Sequence, residues 1–107
     1  MITVIWASSA IKMADKVLEY TEEQFGKHQK KKLQRIFARV ASDIAVMPKI
    51  HQKEPALIDS GSDYRYYLIF GRIKVIYKIV DDNNITIVAV VTTYRSNETI
   101  MAITQSR

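Results

Sequence analysis

The residues best suited to chemistry are cations and tyrosines crowded into the C-terminal half of the chain. They are Arg65, Tyr66, Tyr67, Arg72, Lys74, Tyr77 and Lys78, followed by Tyr94 and Arg95. Cations can hold phosphate groups and tyrosine rings can stack on unpaired bases, so a sheet face that carries both would suit RNA. The alternative interpretation is that the cations only solvate a sheet face while the tyrosines fill the edge of a core.

The alternation of side chains along a strand decides which of these residues could act together. Arg65 and Tyr67 share one face of their expected strand. Arg72, Lys74 and Lys78 share one face of the next. A surface for RNA requires that these two faces coincide.

Other catalytic templates do not match the sequence. The two histidines, His28 and His51, have no partner at the spacing of metal ligands, and the chain has no cysteine. The three glycines are too dispersed for a phosphate-binding loop. Ser8 and Ser9 lack the surroundings of a nucleophile elbow. We therefore expect no bound metal and no cofactor.

The formal net charge of +5 is concentrated in one quarter of the chain. Residues 27–53 carry eight lysines and arginines against the single acid Asp43. Such a field attracts polyanions or an acidic protein. The candidate nucleic-acid ligands are Lys30, Lys31, Lys32 and Arg35 in this cluster, with Arg72 and Lys78 from the strands. The alternative is that the cluster is only the solvated face of an amphipathic helix.

Length and composition exclude several classes of protein. A chain of 107 residues is long enough for one domain. Its hydrophobic content of 48% is too high, and its content of Gly and Pro too low, for a disordered chain. No apolar run approaches the roughly 18 residues of a membrane helix, and the first residues lack the basic head of a secretory signal. We expect a single soluble domain over residues 1–107 in the cytoplasm.

The N-terminal quarter predicts a strand followed by a helix. Residues 2–6 are rich in β-branched and aromatic side chains, as is typical of a strand. Ser8 or Ser9 could then cap a helix by accepting a free backbone N–H. Apolar residues recur at helical spacing over residues 11–25, and Gly26 is a natural stop.

A second helical pattern follows directly. Apolar residues at steps of three and four run without a break through residues 33–47, and Pro48 ends the run. The two helices, joined around Gly26, predict a helical hairpin. Residues 48–63 show no sustained period.

From residue 64 the hydrophobic period changes to two. Residues 64–70 and 72–80 predict two strands joined at Gly71, and residues 81–84 have the composition of a hairpin turn. Residues 85–91 are apolar on both faces, as in a central strand that is covered on both sides.

These elements predict an α+β fold. It has an N-terminal strand, a helical hairpin and then a three-stranded antiparallel meander that completes one sheet. Ser96 could cap a short C-terminal helix after the last strand.

The order of elements and the strand sequences resemble the RelE/ParE superfamily of bacterial toxin–antitoxin toxins, which includes the plasmid stabilization system family. The resemblance is strongest in YRYYLIFGRIKVIYKI at residues 64–79 and extends to MPKI at residues 47–50 and VVTTYRSNE at residues 90–98. It covers nearly the whole chain. It implies an antiparallel sheet with both helices on one face and a concave face left open.

The resemblance implies an activity and a set of residues. RelE-like members are mRNA interferases, endoribonucleases that cleave mRNA in the ribosomal decoding site without a metal, by charge stabilisation and acid–base assistance. Arg65 falls at their strand lysine, Lys74 at an arginine of the next strand, and Arg95 or Tyr94 at the arginine after the last strand. Tyr67 stands where a second catalytic lysine is expected.

RelE-like members have a tyrosine on the final helix, and this chain has Ile100 at the corresponding position. The role of that tyrosine is therefore not filled there. Tyr94 or Tyr67 would then fill that role. ParE-like members also lack this catalytic set, and they poison DNA gyrase through protein contact.

We therefore expect the toxin of a type II toxin–antitoxin pair, with growth inhibition as its effect. The first hypothesis is ribosome-dependent mRNA cleavage, with RNA binding through the basic residues. The alternatives are a non-enzymatic inhibitor of DNA gyrase and an inactive relative that binds only an antitoxin. The expected partner is a cognate, acidic antitoxin in a hetero-oligomer, and no membrane is expected as a partner.

Overall fold

The elements follow the order expected from the sequence in the computed structural model, which describes residues 1–92. They are strand β1 (Thr3–Trp6), helices α1 (Ser8–Phe25) and α2 (Lys27–Val46), and strands β2 (Asp63–Ile69), β3 (Ile73–Asp81) and β4 (Asn84–Thr92). A 3₁₀ turn at Pro55–Leu57 lies between α2 and β2. The α+β fold class is confirmed, while the expected C-terminal helix and its cap Ser96 lie outside the described residues.

A single residue, Gly26, joins the two helices. Its φ of 90° lies in the region that favours glycine. Its N–H donates to the Glu22 carbonyl (2.9 Å), and its own carbonyl accepts from the Lys30 N–H (3.2 Å). Helix α2 therefore begins at Lys27, well before Leu33, because lysine and glutamine support a helix without contributing to its apolar stripe.

The expected serine cap of α1 is wrong. Ala7 takes the N-cap position without a side-chain cap bond, and Ser8 and Ser9 lie in the first turn. The reason is the sheet, since the Ala7 N–H donates to the Ile87 carbonyl (2.9 Å) and keeps Ala7 extended. Among residues 1–92, the buried Ser9 Oγ has no hydrogen-bond partner.

The four strands form one sheet in the order β1-β4-β3-β2. Strands β2, β3 and β4 form the expected antiparallel meander, but β1 pairs with β4 in parallel. The sheet is therefore mixed, and differs at this edge from the antiparallel sheet that the resemblance implies. After α2 the chain runs antiparallel to β2, with Lys53 opposite Arg65, before it turns into β2. Because the chain reverses in this way, β2 runs in the same direction as β1. Strand β4 also runs in that direction, since β3 between β2 and β4 is antiparallel to both.

Apolar side chains pack on both faces of the sheet. On one face, α1 and α2 cover the strands through Ala10, Ala14, Leu33, Phe37, Val40 and Ile44. On the other face, Ala56 and Leu57 of the 3₁₀ turn pack against Ile76, Val88, Ala89 and Val91. The central strand β4 contributes to both clusters, as its two-sided apolar sequence predicts.

The second face is thus not the open concave surface that the resemblance implies. The segment after α2 crosses it and places Leu57, 3% exposed, against the strands. Its sequence shows no period because it packs through a short turn rather than through a regular element. The turn covers part of the surface on which bound RNA would have to lie.

The turn between β2 and β3 holds an aromatic residue in an unfavourable conformation. The Arg72 N–H donates to the Ile69 carbonyl (3.0 Å), and both residues between them have positive φ, 55° at Phe70 and 68° at Gly71. A two-residue hairpin loop of the I′ type requires this geometry, which suits Asn-Gly. Phe70 is strained there because its Cβ crowds the backbone in the left-handed region.

Replacing Phe70 by Asn should relieve this strain, because Asn tolerates the left-handed region. We expect the free energy of unfolding of Phe70→Asn to exceed that of Phe70→Ala, which also lacks the ring, by about 1 kcal/mol, seen as a higher urea midpoint at an unchanged slope. The matched variant Phe70→Ala removes the ring but keeps the strain, and should give no such gain. Equal midpoints for the two variants would contradict the strain at this position.

Candidate functional site

The strand register separates the candidate catalytic cations. Arg65 lies directly opposite Tyr77, whereas Lys74 lies opposite Leu68. Residues opposite each other share a face, so Arg65 and Tyr67 lie on the face covered by the helices and Lys74 lies on the other face. The two faces do not coincide, and the condition for a shared RNA surface is not met.

A buried carboxylate holds Lys74. The Lys74 Nζ lies 2.8 Å from Oε1 and 3.3 Å from Oε2 of Glu54, a residue with 0% exposure. The same ammonium group lies 4.5 Å from the centre of the Tyr66 ring. Glu54 Oε2 also accepts from the Ala56 N–H (3.4 Å) at the start of the 3₁₀ turn. The charge of Lys74 is therefore neutralised within the fold, and the pair fastens the turn to the sheet.

Arg65 fastens the same segment from the opposite face. Its Nε and Nη2 donate to the carboxylate of Asp63 at 3.0 and 3.3 Å. Its Nη1 donates to the backbone carbonyls of Lys49 and His51, both at 2.9 Å. Because Arg65 belongs to β2 and its guanidinium group donates to carbonyls of the chain after α2, these bonds link that chain to the strand.

Tyr67 belongs to a small polar and aromatic cluster at the end of α2. Its hydroxyl donates to Asp43 Oδ2 (2.8 Å). The His51 ring lies 5.3 Å from the Tyr67 ring and 6.1 Å from the Tyr77 ring, centre to centre. The Tyr77 hydroxyl donates to the Pro48 carbonyl, so that the cluster ties the segment after α2 to two strands.

Burial sets the protonation of this cluster. It raises the pKa of Tyr77 to about 12. It also raises the pKa of Tyr67, helped by the hydrogen bond to Asp43. Burial lowers the pKa of His51 and outweighs the opposing effect of the Asp43 carboxylate. At neutral pH both tyrosines therefore keep their protons and act as hydrogen-bond donors, so neither is a phenolate base.

Three of the candidate nucleic-acid ligands lie over aromatic rings. The distances from the charged group to the ring centre are 5.3 to 5.9 Å, for Arg72 over Phe25, Lys32 over Phe70 and Lys78 over Tyr64. At this range a cation gains about 0.5–1 kcal/mol from the ring on an exposed surface. These contacts explain the interleaving of cations and aromatic residues as local packing.

The remaining candidates lie on α2. Lys30 faces α1 and pairs with Glu22 at 3.5 Å. Lys31 and Arg35 are exposed. Tyr94 and Arg95, the other candidate catalytic residues, lie outside the described residues. The assignment of all these residues to catalysis or RNA binding stays a prediction.

Sequence reasoning missed the partners of the strand cations. Glu54 precedes Lys74 by 20 residues and Asp43 precedes Tyr67 by 24, and both lie outside the periodic strand pattern. The one available signal was a pairing requirement, because a lysine between buried strand residues needs a carboxylate. Several acids could have met that requirement, so the sequence does not single out Glu54.

Residues 1–92 contain neither a candidate metal site nor a candidate membrane-spanning helix. Within that range no group of three or more His, Cys, Asp or Glu side chains is placed to hold a metal ion. In the same range neither helix is long and apolar enough to cross a membrane.

The comparisons with known proteins agree with the fold. Residues 4–96 match the family model of the ParE toxin of the type II toxin–antitoxin system, parDE. A solved structure of the chromosomal ParDE TA system from P. aeruginosa is similar, with a TM-score of 0.66 and 16% sequence identity. The alignment covers 86% of this chain and 96% of that one. No sequence among curated proteins is significantly similar. At 16% identity the structural likeness shows the fold alone.

Breaking the Glu54–Lys74 pair from one side should destabilise the protein strongly. Lys74→Met leaves a buried carboxylate without its cation, and we expect a loss of about 3–5 kcal/mol in the free energy of unfolding. The double variant Glu54→Leu/Lys74→Met removes both charges and should recover most of that loss. Urea unfolding of the two single variants and the double variant measures the coupling. A coupling near zero would contradict the structural role of the pair.

The lowered pKa of His51 predicts a loss of stability in acid. The unfolded chain takes up a proton at about the ordinary pKa of 6.5, whereas the folded state resists it. The free energy of unfolding should therefore fall as the pH drops below 6.5 toward the folded pKa. We expect His51→Gln to flatten this part of the pH profile, while His28→Gln, which replaces an exposed histidine of α2, keeps it. Unchanged profiles for both variants would contradict the burial of His51.

Proposed function

The chain belongs to the family of ParE toxins of type II toxin–antitoxin systems, and we propose that it inhibits DNA gyrase by protein contact rather than by cleaving RNA. In this proposal residues 1–107 form a single toxin domain that acts in the cytoplasm. A cognate antitoxin binds it in a hetero-oligomer and neutralises it. The family relationship supports the toxin role, and the arrangement of the sheet cations supports the mode of action.

The observation that carries the proposal is the separation of Arg65 and Lys74. Cleavage of RNA without a metal needs cations that converge on one phosphate, together with an acid–base group beside them. Arg65 and Lys74 lie on opposite faces of the sheet and project away from each other. One phosphate therefore cannot reach both cations.

The bonding of each cation adds a second argument. Arg65 is committed to Asp63 and two backbone carbonyls. To bind a phosphate, Lys74 would have to leave the buried carboxylate of Glu54, and an unpaired buried charge is costly. Tyr67 keeps its proton and is bonded to Asp43. These contacts within the fold support a toxin that acts through its surface.

Apolar side chains suited to contact with another protein are exposed at the C-terminal end of α2. Val46, Met47 and Ile50 are 77%, 54% and 63% exposed, and they line a shallow, open groove together with Pro48 and Lys49. Exposed apolar residues grouped in this way are typical of protein–protein contacts. Arg65 and Tyr77 hold the backbone beneath them, which keeps the groove in a fixed shape.

The basic charge supports an acidic antitoxin as the partner. Helix α2 carries six lysines and arginines against one acid. An acidic chain that covers α2 would match this charge and would also hide the apolar groove at its end. The toxin would then be unable to reach its target.

Purified gyrase and supercoiled plasmid test the proposal. We expect the wild-type toxin to trap cleavage complexes, seen as linear DNA after the protein is removed. Met47→Ser/Ile50→Ser should reduce trapping at least tenfold by removing apolar contact area. Tyr20→Ser, an equally exposed position near the other end of the hairpin, should retain it.

A parallel measurement separates the alternatives. Primer extension on translated mRNA after induction should show no new 5′ ends while growth stops. New ends with an undamaged plasmid would contradict the proposal and restore mRNA cleavage. Unslowed growth in the absence of an antitoxin would contradict both and indicate an inactive relative.

A further inference from the structure

We propose that α2 binds the phosphate backbone of duplex DNA through a row of four cations, Lys27, Lys31, Arg35 and Arg39. The inference extends the proposed function, because gyrase works on duplex DNA, and it rests on that function for its biological meaning. Binding to DNA alone is measurable without gyrase. The two claims can therefore fail independently.

The row follows from the spacing of its members. Each cation is four residues after the one before, and all four residues are exposed. At 3.6 residues per turn, each step of four advances about 40° around the helix, so the four side chains form a slanting row over about 120° of one face. The buried residues of α2, Leu33, Phe37, Val40 and Ile44, occupy the opposite face and fix the helix to the sheet. The four side chains therefore point to solvent from a helix that is fixed to the sheet.

The arrangement is unfavourable for the helix itself. Like charges four residues apart repel each other, and the row contains three such pairs in succession. The first turn of α2 is basic and has no acid, which also opposes the helix dipole. A solvated face needs only alternating charges, and that pattern would stabilise the helix. An arrangement that costs stability indicates a ligand that compensates the repulsion.

Within residues 1–92 none of these four cations forms an ion pair, and Arg39 alone has a noted electrostatic effect, a lesser one on the Tyr67 hydroxyl. In residues 1–92, the α2 cation that forms an ion pair is Lys30, which faces Glu22 of α1. The one acid of the helix, Asp43, accepts a hydrogen bond from Tyr67. The strand cations differ in this respect, because Lys74 is neutralised by Glu54.

The dimensions of the row suit a duplex. With a rise of about 1.5 Å per residue, the cations are about 6 Å apart and the row extends about 18 Å. Duplex DNA carries one negative charge per about 1.7 Å of its axis, so a cationic row of this length has several phosphates within its span. Exposed Ala38, between Arg35 and Arg39, and exposed Ser42, just past Arg39, have short side chains that permit close approach.

The chemistry of the face favours duplex DNA over other polyanions. Positions 27–42 expose one aromatic side chain, the imidazole of His28, and no tyrosine, tryptophan or phenylalanine ring of the kind on which a single strand stacks its bases. They also expose no large apolar side chain to anchor a protein partner. Lys32 and Arg72 add positive charge beside the row, near the β2–β3 turn. A backbone contact of this kind does not depend on base sequence.

Fluorescence anisotropy with a labelled duplex of mixed sequence tests the inference over a series of salt concentrations. Four phosphate contacts predict a slope of about −3 to −4 in log affinity against log salt. Lys31→Gln/Arg35→Gln should reduce the slope to about −2. The matched control Lys12→Gln/Lys16→Gln removes two exposed cations, also four residues apart, from α1 and should leave the slope unchanged.

Several results would overturn the inference. Equal slopes for wild type and Lys31→Gln/Arg35→Gln would show that the row does not bind the duplex. Equal affinity for a single strand of the same length would exclude a duplex-specific site. Polyglutamate at matched charge should compete for the row, as an acidic antitoxin would, but more weakly than the duplex; equal or tighter binding of polyglutamate would assign the row to an acidic protein instead.

Two controls keep the test decisive. Lys31→Gln/Arg35→Gln relieves repulsion within α2, so its thermal midpoint should equal or exceed that of the wild type, which excludes misfolding as the cause of lost binding. Trapping of gyrase is measured separately. Trapping without duplex binding overturns this inference alone, and duplex binding without trapping overturns the proposed function alone.

Discussion

The ion pair between Glu54 and Lys74 is the interaction on which the arrangement of this protein depends. It joins an irregular segment to the centre of the sheet, with the carboxylate fully buried and the ammonium 2.8 Å away. Arg65 and Tyr77 hold the neighbouring part of that segment from the opposite face. The chain between α2 and β2 is thus fixed on both sides of the sheet. That fixation covers the second face and gives the apolar groove after α2 a defined shape.

Local pattern was enough to predict the elements and their order. The helical stripe of α2 and the two-sided apolar sequence of β4 each reflect a single burial requirement that is visible in the sequence. The cap at Ser8 or Ser9 was wrong because a sheet hydrogen bond to Ala7 decided where α1 starts. The parallel edge was missed because it depends on the path of the segment after α2, which has no period.

The candidate site could be predicted from the sequence less completely than the fold. Side-chain alternation within β2 and within β3 was predicted, but the register between them was not, and a register change of one residue would exchange the faces. The presence of cations and tyrosines was a genuine feature of the sequence. Their roles depended on Glu54, Asp43 and Asp63, two of them far away along the chain, and those partners give them structural uses.

The account therefore divides the positive charge by use: the strand cations stabilise the fold, and the cations of α2 face solvent. The most direct test of this central claim is growth arrest after induction of the double variant Glu54→Leu/Lys74→Met, in cells without an antitoxin. Arrest should equal that of the wild type, because Lys74 does no chemistry in the proposed mode of action. Normal growth with a folded, equally abundant double variant would contradict it.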